Sequence, residues 1–288
     1  MRKLMFLASL IAALPVLSRA AEVRVPEKSV AGQSLTIVVT GPGDGVLYLI
    51  GPAQVIQRVV RPEKESQVVI KGEELRSAGQ WTAILRSGNS SQSQTFWVAP
   101  AKPENLNFLA RPSRVPVDRR GVISGMAFVF DAYQNFVLQP VPVTFSLSVG
   151  GTAASQTVTS RNGVAWVSSS SARKAGAAQF VATLGEVSVR RVVQQVASDP
   201  CNLRMHVTQQ SKAGVVVETD PIRDCTGNPV PDGTIVTFTQ TDSAGRSTVD
   251  ARIRKGIARA ELPAAGGAHI TVAAGVVLGN ELQMGGGK

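Results

Sequence analysis

Two stretches of this chain, DAYQNFVLQPVPVTF from Asp131 and DCTGNPVPDGTIVTF from Asp224, state one pattern 93 residues apart. Each opens on Asp, carries Asn four residues later, and closes on a Val-Thr-Phe whose Phe lies ten residues beyond that Asn. The correspondence extends on both sides. Asp118-Arg-Arg-Gly121 falls on Ser211-Lys-Ala-Gly214, and Gly163-Val-Ala165 falls on Gly256-Ile-Ala258. After a deletion of three residues, the run from Gly176 to Phe180 meets the run from Gly266 to Ile270. A fainter copy lies upstream, where Gly79-Gln-Trp81-Thr-Ala83 matches Ala178-Gln-Phe180-Val-Ala182. Self-similarity at such an interval marks an array of supersecondary units, here three of 80 to 100 residues.

Within a unit the hydrophobic period is two. Val141, Val143, Phe145 and Leu147 alternate with Pro142, Thr144, Ser146 and Ser148, and Met126, Phe128 and Phe130 alternate likewise. Such runs, separated by Gly, Asn, Asp and Ser, predict half-buried strands joined by turns. The 27 Gly, 16 Pro and 17% charged residues agree with that reading, and no long helical pattern interrupts it. Several short strands per unit with no helix between them predict two-sheet sandwiches. The expected architecture is therefore all-β, three tandem immunoglobulin-like β-sandwich domains over residues 21–99, 100–197 and 198–288. Short proline-bearing joints at Val98 to Pro103 and Val196 to Pro200 predict an elongated array.

The first twenty residues stand apart from that fold. Arg2 and Lys3 precede an apolar run from Leu4 to Leu17, and Ser18-Arg19-Ala20 supplies small residues flanking a cleavage point. This is the pattern of a secretory signal peptide over residues 1–20, with the mature chain starting at Ala21. No other segment reaches the roughly 20 apolar residues that a spanning helix needs. The expected location is the periplasm or the secreted and cell-surface space. In that oxidising setting Cys201 and Cys225 are expected to pair, because they are equidistant from the turn at Ser211 to Gly214 and flank it on adjacent strands.

The second copy, Asp224-x-x-Gly-Asn228-Pro-Val-Pro-Asp-Gly-Thr-Ile-Val-Thr-Phe238 followed by Gly256-x-Ala258, resembles the bacterial Ig-like repeat of the invasin and intimin adhesins. The third unit resembles it best, the second well, and the first only in its general pattern. The resemblance implies the sandwich fold and a place in adhesion or in a stalk.

Little in the chain points to catalysis. His206 and His269 are far apart in strand-like contexts, and neither a zinc-hydrolase HExxH, a GxSxG elbow nor a glycine-rich phosphate loop is present. No cofactor and no metal are expected. Asp199, Asp220, Asp224 and Asp232 should gather near the start of the third unit, where carboxylates could hold Ca²⁺, but turn formation is the preferred use. Trp81, Trp97 and Trp166 could stack on sugars, and a structural use is again preferred.

Positive charge is concentrated in the middle. Residues 100–197 hold 10 Lys and Arg against 4 acids, whereas residues 198–288 balance 9 against 9. No nucleic-acid-binding module accompanies this excess. Arg119, Arg120, Arg190 and Arg191 are expected at the lower pole of the second unit, facing Asp199, Asp220, Asp224 and Asp232 of the third. Two uses compete: the arginines meet these aspartates and stiffen the joint, or they stay exposed for an anionic partner. The first accounts for both clusters at once. These readings predict an exported, non-enzymatic Ig-like repeat protein acting in adhesion or surface interaction. The alternative is a structural or assembly subunit of an envelope machine such as a secretion or pilus system. The expected partner is a protein or an anionic envelope polymer.

Overall fold

The computed structural model describes residues 21–41, 43–61, 65–211, 214–263 and 266–285, and the leader expected over residues 1–20 lies outside them. The first sandwich contains β1 (Glu22–Arg24), β2 (Lys28–Val30), β3 (Leu35–Thr40), β4 (Gly45–Ile50), β5 (Val55–Val60), β6 (Glu65–Ile70), β7 (Gly79–Ser87) and β8 (Ser90–Ala99). The second contains β9 (Asn105–Arg111), β10 (Arg114–Pro116), β11 (Ile123–Phe130), β12 (Pro142–Val149), β13 (Thr152–Thr159), β14 (Val164–Ser169), β15 (Gly176–Leu184) and β16 (Val187–Val196). The third contains β17 (Met205–Gln210), β18 (Gly214–Thr219), β19 (Ile235–Asp242), β20 (Gly245–Arg252), β21 (Arg259–Pro263), β22 (His269–Ala274) and β23 (Val277–Gln283). No α-helix occurs among the described residues, and none there is long and apolar enough to cross a membrane.

The first and second sandwiches share one topology, although their sequences match only faintly. A three-stranded sheet, β1-β3-β6 or β9-β11-β14, lies with a five-stranded sheet, β2-β8-β7-β4-β5 or β10-β16-β15-β12-β13. In both, the short second strand pairs parallel to the last one. The third sandwich has sheets β17-β18-β21 and β20-β19-β22-β23, with no counterpart of that short strand among the described residues.

The alternation read from sequence builds the core along β12, where Val143, Phe145 and Leu147 are buried, but its phase is reversed on β11, where Met126, Phe128 and Phe130 form the half-buried outer row. Along β11 every second residue, Ile123, Gly125, Ala127 and Val129, is buried, and the residues between them are half-buried. Phe108, Phe145 and Phe180 meet inside the second sandwich, Phe108 and Phe180 edge to face with centroids 5.1 Å apart. Each such ring contributes roughly 1.5–3 kcal/mol by burial. Trp81 and Phe96 fill the first core, while Phe238 is the large aromatic of the third.

Compactness divides the chain differently from the strand count. Residues up to Pro103 form one unit together with the segment Asp131–Val137, and Glu104–Phe130 with everything from Leu138 onward form the other. The second and third sandwiches thus share a unit. The first repeated motif, threaded between β11 and β12, packs with the first sandwich.

Candidate functional site

Asp224 closes a turn upon itself. Its Oδ1 accepts the backbone N–H of Thr226 and of Asn228, each at 2.9 Å, and the Thr226 hydroxyl at 2.7 Å. Its Oδ2 accepts the N–H of Ser198 at 3.1 Å, which ties the segment following β16 to the turn. Asp at this position suits the task because a carboxylate is a pure acceptor with room for four donors.

Asn228, held by that turn, reaches the second sandwich. Its Oδ1 accepts the N–H of Ala175 at 2.8 Å, and its Nδ2 donates to the carbonyl of Arg173 at 2.7 Å. One planar amide thereby satisfies an N–H and a C=O of the loop between β14 and β15. The gripped loop is fixed from behind, since buried Gln195 accepts the N–H of Ala172 at 2.6 Å.

The first motif repeats the main-chain bonds of this arrangement within the first compact unit, with Tyr133 where Thr226 stands. Asp131 Oδ1 accepts from Tyr133 and Asn135 N–H at 2.9 Å, and Oδ2 accepts from Ala101 N–H at 2.9 Å. Asn135 Oδ1 accepts from Ala78 N–H at 2.9 Å, and Nδ2 donates to Arg76 O at 2.8 Å. Here Trp81 steadies the gripped loop by donating its indole N–H to Ser77 O at 2.9 Å. Tyr133 covers Gly32, whose φ is +79° and where a Cβ would lie 2.2 Å from the phenol oxygen. Only glycine fits beneath that ring.

The repetition that opens the sequence is therefore a backbone clamp: Asp secures the turn and the incoming chain, and Asn grips a loop of the preceding sandwich. The sequence reading found the turn and missed the grip. The accepted groups are main-chain atoms with no side-chain signature. The grips make Gly79 equivalent to Gly176, each one residue past the gripped N–H, which shifts the upstream copy by two residues from the alignment of Gly79 with Ala178.

Burial pushes the Asp224 carboxyl up, but the hydrogen bonds from Thr226, Asn228 and Ser198 outweigh it and hold the group below its ordinary value. A lowered folded value means the clamp contributes fully above about pH 4, and its contribution is lost as pH falls through that lowered value. Asp224→Asn removes this titration. The expected outcome is that the melting temperature of the variant falls less steeply than that of the wild type on acidification below about pH 4. Parallel slopes in calorimetry at several pH values would refute it.

The arginines and aspartates are distributed more widely than the sequence suggested. Arg119 lies 3.9 Å from Asp199 with both side chains exposed, in a cleft of about 310 Å³ that Arg114, Pro200, Pro231 and Gly275 also line. Such an exposed pair is worth about 0–1 kcal/mol, so it is a minor part of the joint. Arg120 is exposed and makes no ion pair among the described residues. Arg190 and Arg191 are not at the joint. The last strand runs on to Val196, which leaves Arg190 mid-strand, roughly 20 Å away at 3.3 Å per residue. Arg190 lies 3.5 Å from Gln179 Oε1, and Arg191 donates to the Arg190 carbonyl.

The four aspartates do not gather into one cluster: Asp220, Asp224 and Asp232 lie along the one connection between β18 and β19, but each serves different partners. Asp220 faces His206 at 3.4 Å, and Asp232 accepts the N–H groups of Lys255 and Gly256 at 2.9 and 3.1 Å. Among the described residues no three His, Cys, Asp or Glu side chains converge as a metal site. His269 pairs with Glu281 across strands at 3.0 Å. Trp81 is core, whereas Trp97 and Trp166 are exposed.

Cys201 and Cys225 form a disulfide, with a sequence separation of 24. It lies beside the clamp, since Cys201 N–H donates to Arg223 O at 3.0 Å and Cys225 follows Asp224. The equivalent bond in the second sandwich runs from Glu104 N–H to Phe130 O. The bridge therefore stands where the second sandwich has Glu104 and Ala132, not the apolar pair Phe108 and Ala132 that a constant offset would give. Four residues more separate the copies at this strand, which aligns Phe108 with Met205, both core residues.

The architecture is that of tandem immunoglobulin-like β-sandwiches. No family model matches the sequence, and no curated protein is significantly similar to it. Among solved structures, the chain is similar to FdeC, an Escherichia coli adhesin, with 15% identity, a TM-score of 0.61, and coverage of 96% of this chain and 100% of that one. It is also similar to invasin, a bacterial integrin-binding protein, with 11% identity and a TM-score of 0.51. That match covers 92% of this chain and 60% of the invasin structure. At these identities the likeness is one of fold.

Proposed function

We propose that the chain is an exported, non-enzymatic repeat protein that presents Ig-like sandwiches for adhesion or surface interaction. The observation that carries this reading is the twice-repeated Asp–Asn clamp. The second copy fastens the third sandwich to the second, and the exposed sheet faces are left for contact. The structural likeness to FdeC and invasin supports the same class. A second reading, a spacer or assembly subunit of an envelope machine, is favoured by the clamp between the second and third sandwiches, because a fixed joint also serves a scaffold.

Three measurements test these readings. Intact mass of the mature protein is expected to lack residues 1–20, and the protein is expected to be accessible to antibody on intact cells. Deleting the gene should reduce attachment of those cells to a surface or to other cells. A mature protein retaining Met1 would remove the export claim. Normal attachment together with loss of an assembled envelope complex would replace adhesion by the scaffold reading.

A further inference from the structure

The outer face of sheet β9-β11-β14 carries a row of three apolar side chains. Met126 on β11 lies opposite Leu109 on β9 and opposite Trp166 on β14. Leu109 is 41% exposed and Trp166 55% exposed, with Met126 half-buried between them. Opposed residues on neighbouring strands share a face, so the row is a continuous strip about 10 Å across three strands. Half-buried Phe128 and Val164, also opposed, extend it along the strands.

The fold does not require this strip, and the other sandwiches demonstrate it. The same row of the third sandwich reads His206, Glu218 and Arg259. The corresponding sheet of the first has rows Glu22–Thr40–Glu65 and Arg24–Val38–Gln67. A three-stranded sheet of the same strand order thus tolerates charge at these positions elsewhere in this chain. An exposed apolar patch that folding does not demand marks a contact surface. Tryptophan is also the residue type most enriched at interface hot spots.

The surroundings specify the partner. Arg111 stands on the same face one row beyond Leu109, beside Ser124 and Ser168. Arg120 is in the turn leading into β11, and Arg161 is in the turn leading into β14. All three are exposed, and none makes a side-chain hydrogen bond or ion pair among the described residues. Against them stand Glu104 before β9 and Asp118 in the turn with Arg120. The strip is thus apolar at its centre, with a positive excess at the end where Arg111 and Arg120 stand and Arg161 beside Glu104 at the other. A sugar ring could stack on Trp166, but Leu109 and Met126 offer nothing to its hydroxyls.

We propose that Leu109, Met126 and Trp166 form a docking strip for a protein segment that presents an apolar side chain flanked by carboxylates, which Arg111, Arg120 and Arg161 receive. The strip gives the surface-interaction role a location and rests on that reading.

The test uses the purified mature chain and a synthetic alternating peptide, acetyl-Asp-Leu-Asp-Phe-Asp-Leu-Asp-amide, with binding followed by calorimetry and tryptophan fluorescence. The wild type should bind it, more weakly as salt rises, and should not bind the counterpart with Lys for Asp. Met126→Glu installs the residue type that the third sandwich carries as Glu218, so folding should be preserved. Together with Trp166→Thr it should weaken binding by about tenfold or more, with the melting temperature unchanged. Equal affinity for the variants, no binding of the acidic peptide, or equal binding of the Lys peptide would overturn the proposal. Binding of oligogalacturonate in place of the peptide would overturn it in favour of an anionic glycan. Self-association abolished by Met126→Glu would overturn it in favour of a second copy. Attachment lost on gene deletion but retained in Met126→Glu cells would leave the surface role standing and remove the strip. Attachment unaffected by deletion would remove the role, while peptide binding still reports on the strip.

Discussion

Asp224→Ala is expected to lower the melting temperature of the third sandwich by roughly 10 °C or more, the largest effect of any single polar substitution in the chain. The carboxylate is only 4% exposed and serves three backbone N–H groups, from Ser198, Thr226 and Asn228. Alanine leaves those three donors without their charged acceptor, the one from Asn228 fully buried. Hydrogen bonds to a charged acceptor are worth about 1.5–3 kcal/mol apiece, and overlapping losses do not add in full, so a net cost of about 3 kcal/mol is expected. Asn228→Ala separates the two halves of the clamp. The turn keeps its Asp224 bonds while the grip on Arg173 and Ala175 is gone, so the third sandwich should melt nearly as before. What changes is the joint. Spin labels on β13 and β20 should report a broader distance distribution between the second and third sandwiches in Asn228→Ala than in wild type. An unchanged distribution with a lowered melting temperature would mean that Asn228 serves the turn alone.

The separation between those two variants also shows which parts of the molecule the sequence could state. A turn built from Asp and Asn is legible, because both residue types are chosen for what they do locally. The strands are legible through alternation, as along Val143, Phe145 and Leu147, whereas on β11 the large residues Met126, Phe128 and Phe130 mark the outer row and the small ones the core. The grip of Asn228 was not legible, because its partners are main-chain atoms of Arg173 and Ala175, more than fifty residues earlier. Arg190 and Arg191 were misplaced for a different reason. Charge can be counted from sequence, but its height on a strand depends on where the strand ends, and β16 continues to Val196. The strip of Leu109, Met126 and Trp166 needed register. Residues 17 and 40 positions from Met126 become neighbours only once β9 and β14 are known to flank β11. Its significance came from the repeat, since the same row elsewhere in the chain is charged.

Removing the disulfide is the second large effect expected. Cys201→Ser with Cys225→Ser should cost the third sandwich about 3.5 kcal/mol, the loop-closure entropy for a separation of 24 residues. The native contacts around the bridge do not depend on it. The hydrogen bond from Cys201 to Arg223, and that from Ser198 to Asp224, both have counterparts in the first motif and its neighbourhood, where no cysteine is present. The bridge should therefore act mainly on the unfolded chain, and the reduced protein should keep the wild-type fold while losing stability. The third sandwich has reason to carry it. Its described strands include no short parallel strand beside the last one, and its core has Phe238 where the second sandwich has a cluster of three Phe rings. A covalent closure offsets both deficits. Denaturant unfolding should show the same midpoint shift for the double variant and for wild type under dithiothreitol, and no further shift when dithiothreitol is added to the variant. Stability that is indifferent to reduction would show that the clamp hydrogen bonds already restrain this loop in the unfolded ensemble. A reduced protein with altered amide chemical shifts around Asp224 would show instead that the bridge holds the native turn in place.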